Sequence, residues 1–217
     1  MTNPDAHIAK IRADYTRDSL GEEQVGDDPV AFFRKWFQEA EAAGVSEVNA
    51  MTLATVDASS RPSARIVLLK GLEDDSFVFF SNYDSNKGEQ MAAQPDVALL
   101  FFWKELERQV RVEGRVEKIP AADSETYFHS RPKGSQISAL ASPQSQVIAG
   151  REILEDKVKQ LEQQYASGEV PRPEHWGGYR VIPTRIEFWQ GRHNRLHDRI
   201  VFTGSRNNGW TRQRLAP

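Results

Sequence analysis

Arg108-Gln109-Val110-Arg111-Val112-Glu113-Gly114-Arg115-Val116-Glu117-Lys118-Ile119 alternates apolar and polar residues along most of its length. Successive side chains of a strand point to opposite faces, so Val110, Val112 and Val116 share a dry face while Gln109, Arg111, Glu113 and Arg115 share a polar one. A half-buried strand of this kind belongs to an antiparallel sheet, since parallel strands covered on both faces read as continuous apolar runs. Residues 51–56, 63–70, 77–81 and 97–103 are further β-branched or aromatic runs bounded by turn residues, and with 108–119 they predict a five-strand core. Further strands are expected at 179–188, 200–203 and 209–212.

Helical spacing occupies the gaps. Asp28 and Pro29 supply N-cap and N1 chemistry, Phe33, Trp36, Phe37 and Ala40 follow on one face, and Gly44 supplies a stop. Helices are also expected at 84–94, 121–130 and 151–165, the last with Ile153, Leu154, Val158 and Leu161 on its apolar stripe. Residues 4–17 read as a polar helix with Ile8, Ile11 and Tyr15 aligned, followed by a Gly/Asp-rich connector. Residues 1–28 are therefore expected to form a mobile arm and 29–217 a single domain. Strands outnumber helices and no βαβ alternation appears, so the expected class is α+β and β-dominated, a partly open antiparallel barrel with packed helices.

Composition narrows the chemistry. The 217 residues are 27 % charged and 39 % hydrophobic, with no apolar run of membrane-spanning length and no secretory signal at Met1-Thr2-Asn3-Pro4-Asp5, so a cytoplasmic protein is expected. A formal charge of −3 disfavours nucleic acid, whose phosphate backbone calls for a strongly basic surface. The chain has no cysteine, which removes disulfides, thiolate nucleophiles and thiolate metal sites, and its five histidines match no metal-binding spacing. Redox chemistry would have to come from an organic cofactor.

Four segments concentrate candidate chemistry. Arg65-Ile66-Val67-Leu68-Leu69-Lys70 reads as a buried strand with a cation at each end, the two on opposite faces if the strand is regular. Ser81-Asn82-Tyr83-Asp84-Ser85-Asn86-Lys87-Gly88 joins a strand to a helix, and both an ordinary capped helix and a phosphate cradle are open readings of it. Tyr127, Arg131 and Ser135 are spaced by four and would share a face of a continuous helix, although Pro132 interrupts it. A phenol, a guanidinium and a hydroxyl together suit a phosphomonoester. Arg195 and His197 are two apart and would project to one side of an extended segment, near Trp189.

Taken in order, these segments resemble the pyridoxine (pyridoxamine) 5′-phosphate oxidase family, FMN enzymes that make pyridoxal 5′-phosphate. The resemblance runs from Arg12–Tyr15 through RIVLLK (65–70), LERQV (106–110), YFHSRP (127–132), SQI (135–137) and GEVPRPEHWGGYRV (168–181) to IEFWQG (186–191), RLHDR (195–199) and the terminal Arg214-Leu215-Ala216-Pro217. It implies an FMN-binding split β-barrel, antiparallel and of Greek-key type with surrounding helices. It also implies a homodimer with FMN across the interface, so that both chains contribute to each site. On this reading Arg65, Ile66, Val67, Leu68, Lys70, Phe80, Ser81, Lys87, Gln109, Gln144, Ser145, Trp189 and Arg199 bind FMN. Lys70, Tyr127, Arg131 and Ser135 grip the substrate phosphate, Arg195 and His197 lie over the pyridine as the catalytic pair, and Arg12 and Tyr15 form a lid. The implied reaction passes hydride from C4′ of pyridoxine or pyridoxamine 5′-phosphate to flavin N5, with O2 then reduced to H2O2.

Three positions depart from the family pattern. Asn86 stands where a basic residue is usual beside Lys87, Phe80 replaces a frequent tyrosine, and Glu47 replaces an aspartate near the substrate. Rival expectations are a split-barrel reductase using flavin or deazaflavin, and a non-catalytic FMN or pyridoxal-phosphate binding protein.

Overall fold

The computed structural model describes residues 5–8, 10–11 and 14–217, with side chains described from His7 onward. Helices α1 (Asp5–Ile8), α2 (Glu22–Val25) and α3 (Pro29–Ala42) precede strands β1 (Ala50–Val56), β2 (Pro62–Leu68), β3 (Gly71–Glu73) and β4 (Ser76–Asn82). Helix α4 (Asn86–Ala93) leads to β5 (Asp96–Trp103) and β6 (Arg108–Lys118). Helices α5 (Ala121–Ser130), α6 (Lys133–Ala141) and α7 (Arg151–Gln164) follow, and β7 (Trp176–Gln190), β8 (Asp198–Ser205) and β9 (Gly209–Arg214) close the chain. The strands form one sheet in the order β2-β1-β5-β6-β7-β4-β3, with β8 on β7 and β9 on β8. All the registers described, β1/β2, β3/β4, β4/β7, β7/β8 and β8/β9, are antiparallel.

Two compact units divide the chain. A terminal unit comprises the described part of Met1–Val48 with Leu100–Val112 and Arg185–Pro217, and a central unit comprises Asn49–Leu99 and Glu113–Thr184.

In the terminal unit α3 is set by its N-cap. The Asp28 carboxylate accepts from the amides of Val30 (2.9 Å) and Ala31 (3.0 Å), with Pro29 at N1 where no amide is needed. Its buried face then packs Phe33 on Phe101 (ring centroids 5.0 Å), and Phe32 and Trp36 on Phe188 (4.8 and 5.4 Å). Fully burying each such ring contributes about 1.5–3 kcal/mol, so α3 is held by its aromatic stripe more than by helix propensity.

The central unit buries Met51, Leu53, Phe77, Phe79 and Leu99 among its strands, and a second cluster of Phe128, Ile137, Leu161, Val170 and Trp176 beneath α5, α6 and α7. Gly114 of β6 permits a close strand approach: a Cβ there would lie 2.2 Å from the Ile182 carbonyl oxygen.

Strand β6 alternates as expected, Val110, Val112 and Val116 buried and Gln109, Arg111 and Glu113 partly open. Other expectations need correction. Among the described residues no helix continues past Ile8 toward residue 17, because Tyr15, Arg17 and Asp18 find partners far along the chain instead. Strand β2 is not buried: Ile66 is 64 % and Leu68 38 % exposed, since β2 is the last strand of the sheet path and pairs only with β1. It also ends at Leu68, leaving Lys70 beyond the strand. Pro132 does split the 121–141 region, and α6 begins immediately after it.

Candidate active site

The central unit contains a cleft of about 340 Å³ lined by Ile66, Val67 and Leu68 of β2, Lys70, Phe80, Ser81 and Asn82 at the end of β4, Lys87 of α4, Tyr127 of α5, Arg131, Gln144 and Trp176. Three cations face this space and no carboxylate lines it. One wall is aromatic: Phe80 lies on Tyr127 (3.7 Å, 16° between planes), and the Trp176 ring runs nearly parallel to both, 5.5 Å from Phe80 and 6.3 Å from Tyr127. The Arg131 guanidinium sits over the Trp176 ring at 4.6 Å.

Arg131 is placed by the break between α5 and α6. It caps α5 in extended conformation, and Gln136 donates to its carbonyl at 2.8 Å. Its Nη1 is buried and has no hydrogen-bond partner. A buried unpaired donor costs about 1–3 kcal/mol, more when charged, a cost that an acceptor from outside the chain would relieve. Burial pushes the Arg131 pKa down, opposed by Tyr127.

Lys87 sits in the first turn of α4, capped by Ser85, whose Oγ accepts from Gly88 N. Its Nζ donates to Gln144 Oε1 (2.7 Å) and Ser85 Oγ (3.2 Å), and its pKa is lowered by burial and by Arg65. A Cβ on Gly88 would come within 2.0 Å of the Tyr83 carbonyl oxygen, so only glycine lets this turn pack against the end of β4. Arg65 does not line the cleft. Its guanidinium is held by neutral acceptors: Thr55 Oγ1 (2.5 Å), Ser63 Oγ (2.8 Å), Gln90 Oε1 (3.1 Å) and Leu53 O (3.2 Å).

The terminal unit gathers a second group. Trp189 lies 4.6 Å from the His197 ring, and Tyr15 stands edge-on to both at 5.7 and 5.9 Å. The Arg192 amide donates to His197 Nδ1 (3.0 Å), so the neutral imidazole carries its proton on Nε2. Burial and Arg195 both lower the His197 pKa, which keeps the ring neutral at pH 7. Arg199 stands opposite Trp189 in the β7/β8 register, and Gln109 lies on the partly open face of β6.

The structure thus brings together Ile66, Val67, Leu68, Lys70, Phe80, Ser81, Lys87, Tyr127, Arg131 and Gln144 in one cleft, and Tyr15, Trp189 and His197 in one cluster. Ser135, in the first turn of α6, and Ser145, in a left-handed turn (φ 73°), do not line the cleft. Tyr127, Arg131 and Ser135 share no continuous helix, because the chain is extended at Arg131. Arg195 and His197 do not alternate along an extended segment either. Asn194 (φ 54°) and Arg195 (φ 61°) are left-handed in a 3₁₀ turn, and Arg195 is exposed. Arg12 lies outside the described residues. Trp176 and Asn82 also line the cleft: neither is among the expected binding residues, although Trp176 sits within the 168–181 motif and Asn82 within the 81–88 segment.

A flat, phosphorylated ligand fits the donor set: cations without counter-charge, an orphaned guanidinium nitrogen and an aromatic wall. Among the described residues no group of acidic and histidine side chains could hold a metal ion, and no helix is long and apolar enough to cross a membrane.

Comparison with known proteins agrees. Residues 37–165 match the family model "Pyridoxamine 5′-phosphate oxidase", and 176–217 match "Pyridoxine 5′-phosphate oxidase C-terminal dimerisation region". The chain is 56 % identical over 213 residues to the pyridoxine/pyridoxamine 5′-phosphate oxidase of Leptospira interrogans, covering 98 % of this chain and all of that one. It is 50 % identical to the oxidase of the same name from Nostoc sp., again over 98 % of this chain and the whole relative. Among solved structures, PhzG from Burkholderia lata, in complex with tetrahydrophenazine-1-carboxylic acid, superposes with a TM-score of 0.86 at 26 % identity, covering 93 % of this chain and all of that one. A pyridoxamine 5′-phosphate oxidase-related, FMN-binding protein from Nostoc punctiforme gives 0.69 at 14 % identity over 88 % of this chain and 98 % of its own length, a likeness of fold: the β-dominated, antiparallel split barrel expected above. The chain belongs to the pyridoxine/pyridoxamine 5′-phosphate oxidase family, the FMN-dependent oxidoreductases of vitamin B6 biosynthesis.

Proposed function

We propose that this protein oxidises pyridoxine 5′-phosphate and pyridoxamine 5′-phosphate to pyridoxal 5′-phosphate as a homodimer, with FMN held by residues of both chains. The observation that carries the reading is the cleft itself: Lys70, Lys87 and Arg131 with no lining carboxylate, and a buried Arg131 Nη1 without a partner. FMN, when bound, supplies the redox chemistry by accepting hydride from substrate C4′ at N5 and passing the electrons to O2, which becomes H2O2.

The chain's own residues bind, orient and shield. Arg65, Ile66, Val67, Leu68, Lys70, Phe80, Ser81, Lys87, Gln144 and Ser145 would hold the cofactor from one chain, and Gln109, Trp189 and Arg199 from the other. Lys70, Tyr127 and Arg131, with Ser135 from the start of α6, would grip the substrate phosphate. A guanidinium donor already buried loses no further hydration when a phosphate oxygen arrives, so the grip gains from preorganisation. Arg195 and His197 would cover the pyridine. His197 acts there as an Nε2–H donor and not as a proton acceptor, because the Arg192 amide occupies Nδ1. Tyr15, packed on Trp189 and His197, would close the site with Arg12. Holding the pyridine at reactive distance turns a bimolecular encounter into an oriented one.

The test is anaerobic. FMN-loaded protein is mixed with pyridoxine 5′-phosphate while the flavin's visible band is followed. Bleaching that reverses on admitting air, with pyridoxal 5′-phosphate formed, supports the proposal. A flavin that neither phosphorylated vitamer bleaches would replace it with a binding protein or a reductase of another substrate. Turnover unchanged after Arg195→Ala and His197→Ala would remove those two residues from the site.

A further inference from the structure

Glu187 of β7 is 1 % exposed, yet it carries a carboxylate between Ile186 and Phe188, both fully buried. Its Oε1 accepts from Arg199 Nε and Nη2, both at 2.8 Å, and its Oε2 from Arg185 Nη2 at 3.0 Å, with Arg111 Nη1 at 3.7 Å. Burial raises the carboxyl's pKa, but the hydrogen bonds and charges of Arg199, Arg111 and Arg185 outweigh it and the net shift is downward.

A buried ion pair is a poor way to gain stability, since apolar residues of similar volume often serve as well or better. What it does give is geometry. An arginine side chain free in solvent samples many rotamers, whereas a two-point grip on a carboxylate fixes the guanidinium plane. Arg199 is gripped in this way and is steadied again by Nη1 donating to the Ala216 carbonyl at 3.0 Å. Three of its five N–H groups hold the side chain in place.

We propose that Glu187 is the positioning residue of the cofactor site: it fixes the Arg199 guanidinium so that its outward N–H groups meet FMN without further ordering. This rests on the placement of Arg199 in the FMN site proposed above. Glu187 touches neither cofactor nor substrate, and its whole effect on FMN passes through Arg199.

The experiment is a double-mutant cycle on FMN affinity, measured by quenching of flavin fluorescence on adding apoprotein. Thermal midpoint and the flavin absorption spectrum are recorded alongside. Glu187→Gln leaves three guanidinium groups without their carboxylate and risks misfolding. Glu187→Asp keeps the charge, withdraws it by about 1.5 Å, one C–C bond, and is the informative variant. Expected is a loss of FMN affinity of about tenfold for Glu187→Asp, comparable to one charge-assisted hydrogen bond, and no further loss when it is added to Arg199→Met. An equal loss from Glu187→Asp with and without Arg199 would overturn the inference while leaving the proposed function intact. Unchanged FMN affinity in Arg199→Met alone would overturn it differently, by removing Arg199 from the FMN site before Glu187 is changed.

Discussion

The cations of the central cleft and those of the terminal unit are held in opposite ways. In the cleft, Lys87 is held by a serine and a glutamine, and Arg131 keeps one nitrogen bare. Nearby Arg65 is held by hydroxyls, an amide and a carbonyl. In the terminal unit, Arg108 is paired with Glu39 and Asp18, Arg199 with Glu187, and Arg214 with Glu22 and Asp198. Neutral acceptors satisfy donors without cancelling charge, so the cleft keeps a positive potential for a ligand. Carboxylates cancel it, and the paired arginines become scaffolding. The difference separates binding cations from architectural ones by their partners, where composition counts them alike.

That contrast can be broken most sharply at Arg131. Arg131→Met should lower kcat/KM for pyridoxine 5′-phosphate by roughly a hundredfold, about 3 kcal/mol. The loss should fall mainly on KM, with FMN affinity and thermal midpoint nearly unchanged, as steady-state kinetics and a melting curve would report. Arg108→Met should do the reverse. Removing the buried partner of Glu39, Asp18 and Gln190 should cost about 2–3 kcal/mol of stability in denaturant titration, at the low end for a broken buried pair because both carboxylates are partly exposed. FMN affinity per folded molecule should change little.

A third effect sharpens the comparison through pH. The Lys87 pKa is lowered by burial and by Arg65, so its charge disappears below the usual lysine range. Without ligand, raising pH through that lowered value relieves the buried charge. For an anion the sign is opposite: FMN affinity should fall as pH rises, at a lower pH than an exposed lysine would require, and Lys87→Met should flatten the profile. The smallest effect is expected at Glu22, where the Arg214 hydrogen bond holds the carboxyl down to about 2 from its ordinary 4.5. The stability from this pair is full above the ordinary value and is lost as pH falls from there toward 2. Glu22→Gln should therefore lower the melting temperature slightly at neutral pH, with the difference from the unsubstituted protein shrinking to nothing on the acid limb of a pH series.

Much of this was legible because local chemistry decided it. Asp28-Pro29 started a helix where capping rules put one, and the alternation from Gln109 to Val116 gave a strand with the correct face buried. The helix expected over 4–17 stops at Ile8, because the stripe of Ile8, Ile11 and Tyr15 says nothing of distant partners. Arg17 donates to Glu105 and Glu107, about ninety residues away, and the Tyr15 ring packs edge-on against Trp189. Ile66 and Leu68 looked buried because a strand's edge position is a property of the sheet and not of the strand. A spacing of two puts Arg195 and His197 on one side only in extended chain, which two consecutive left-handed residues rule out here. In the cleft the motif residues were recoverable, but the missing counter-charge was not, since only the fold shows which acids stay away.

Gly88 and Asn86 lie two residues apart in the first turn of α4, and they divide the freedom to vary very unequally. Asn86 is exposed and can be exchanged for a charged residue without disturbing its neighbours, whereas any side chain at 88 would push the helix off the Tyr83 carbonyl and take Lys87 with it. A mutational scan of this turn should therefore show a tolerant position and an intolerant one flanking the same lysine. Cofactor affinity could be tuned by drift or by design at residue 86, while residue 88 keeps the turn that presents Lys87 in place.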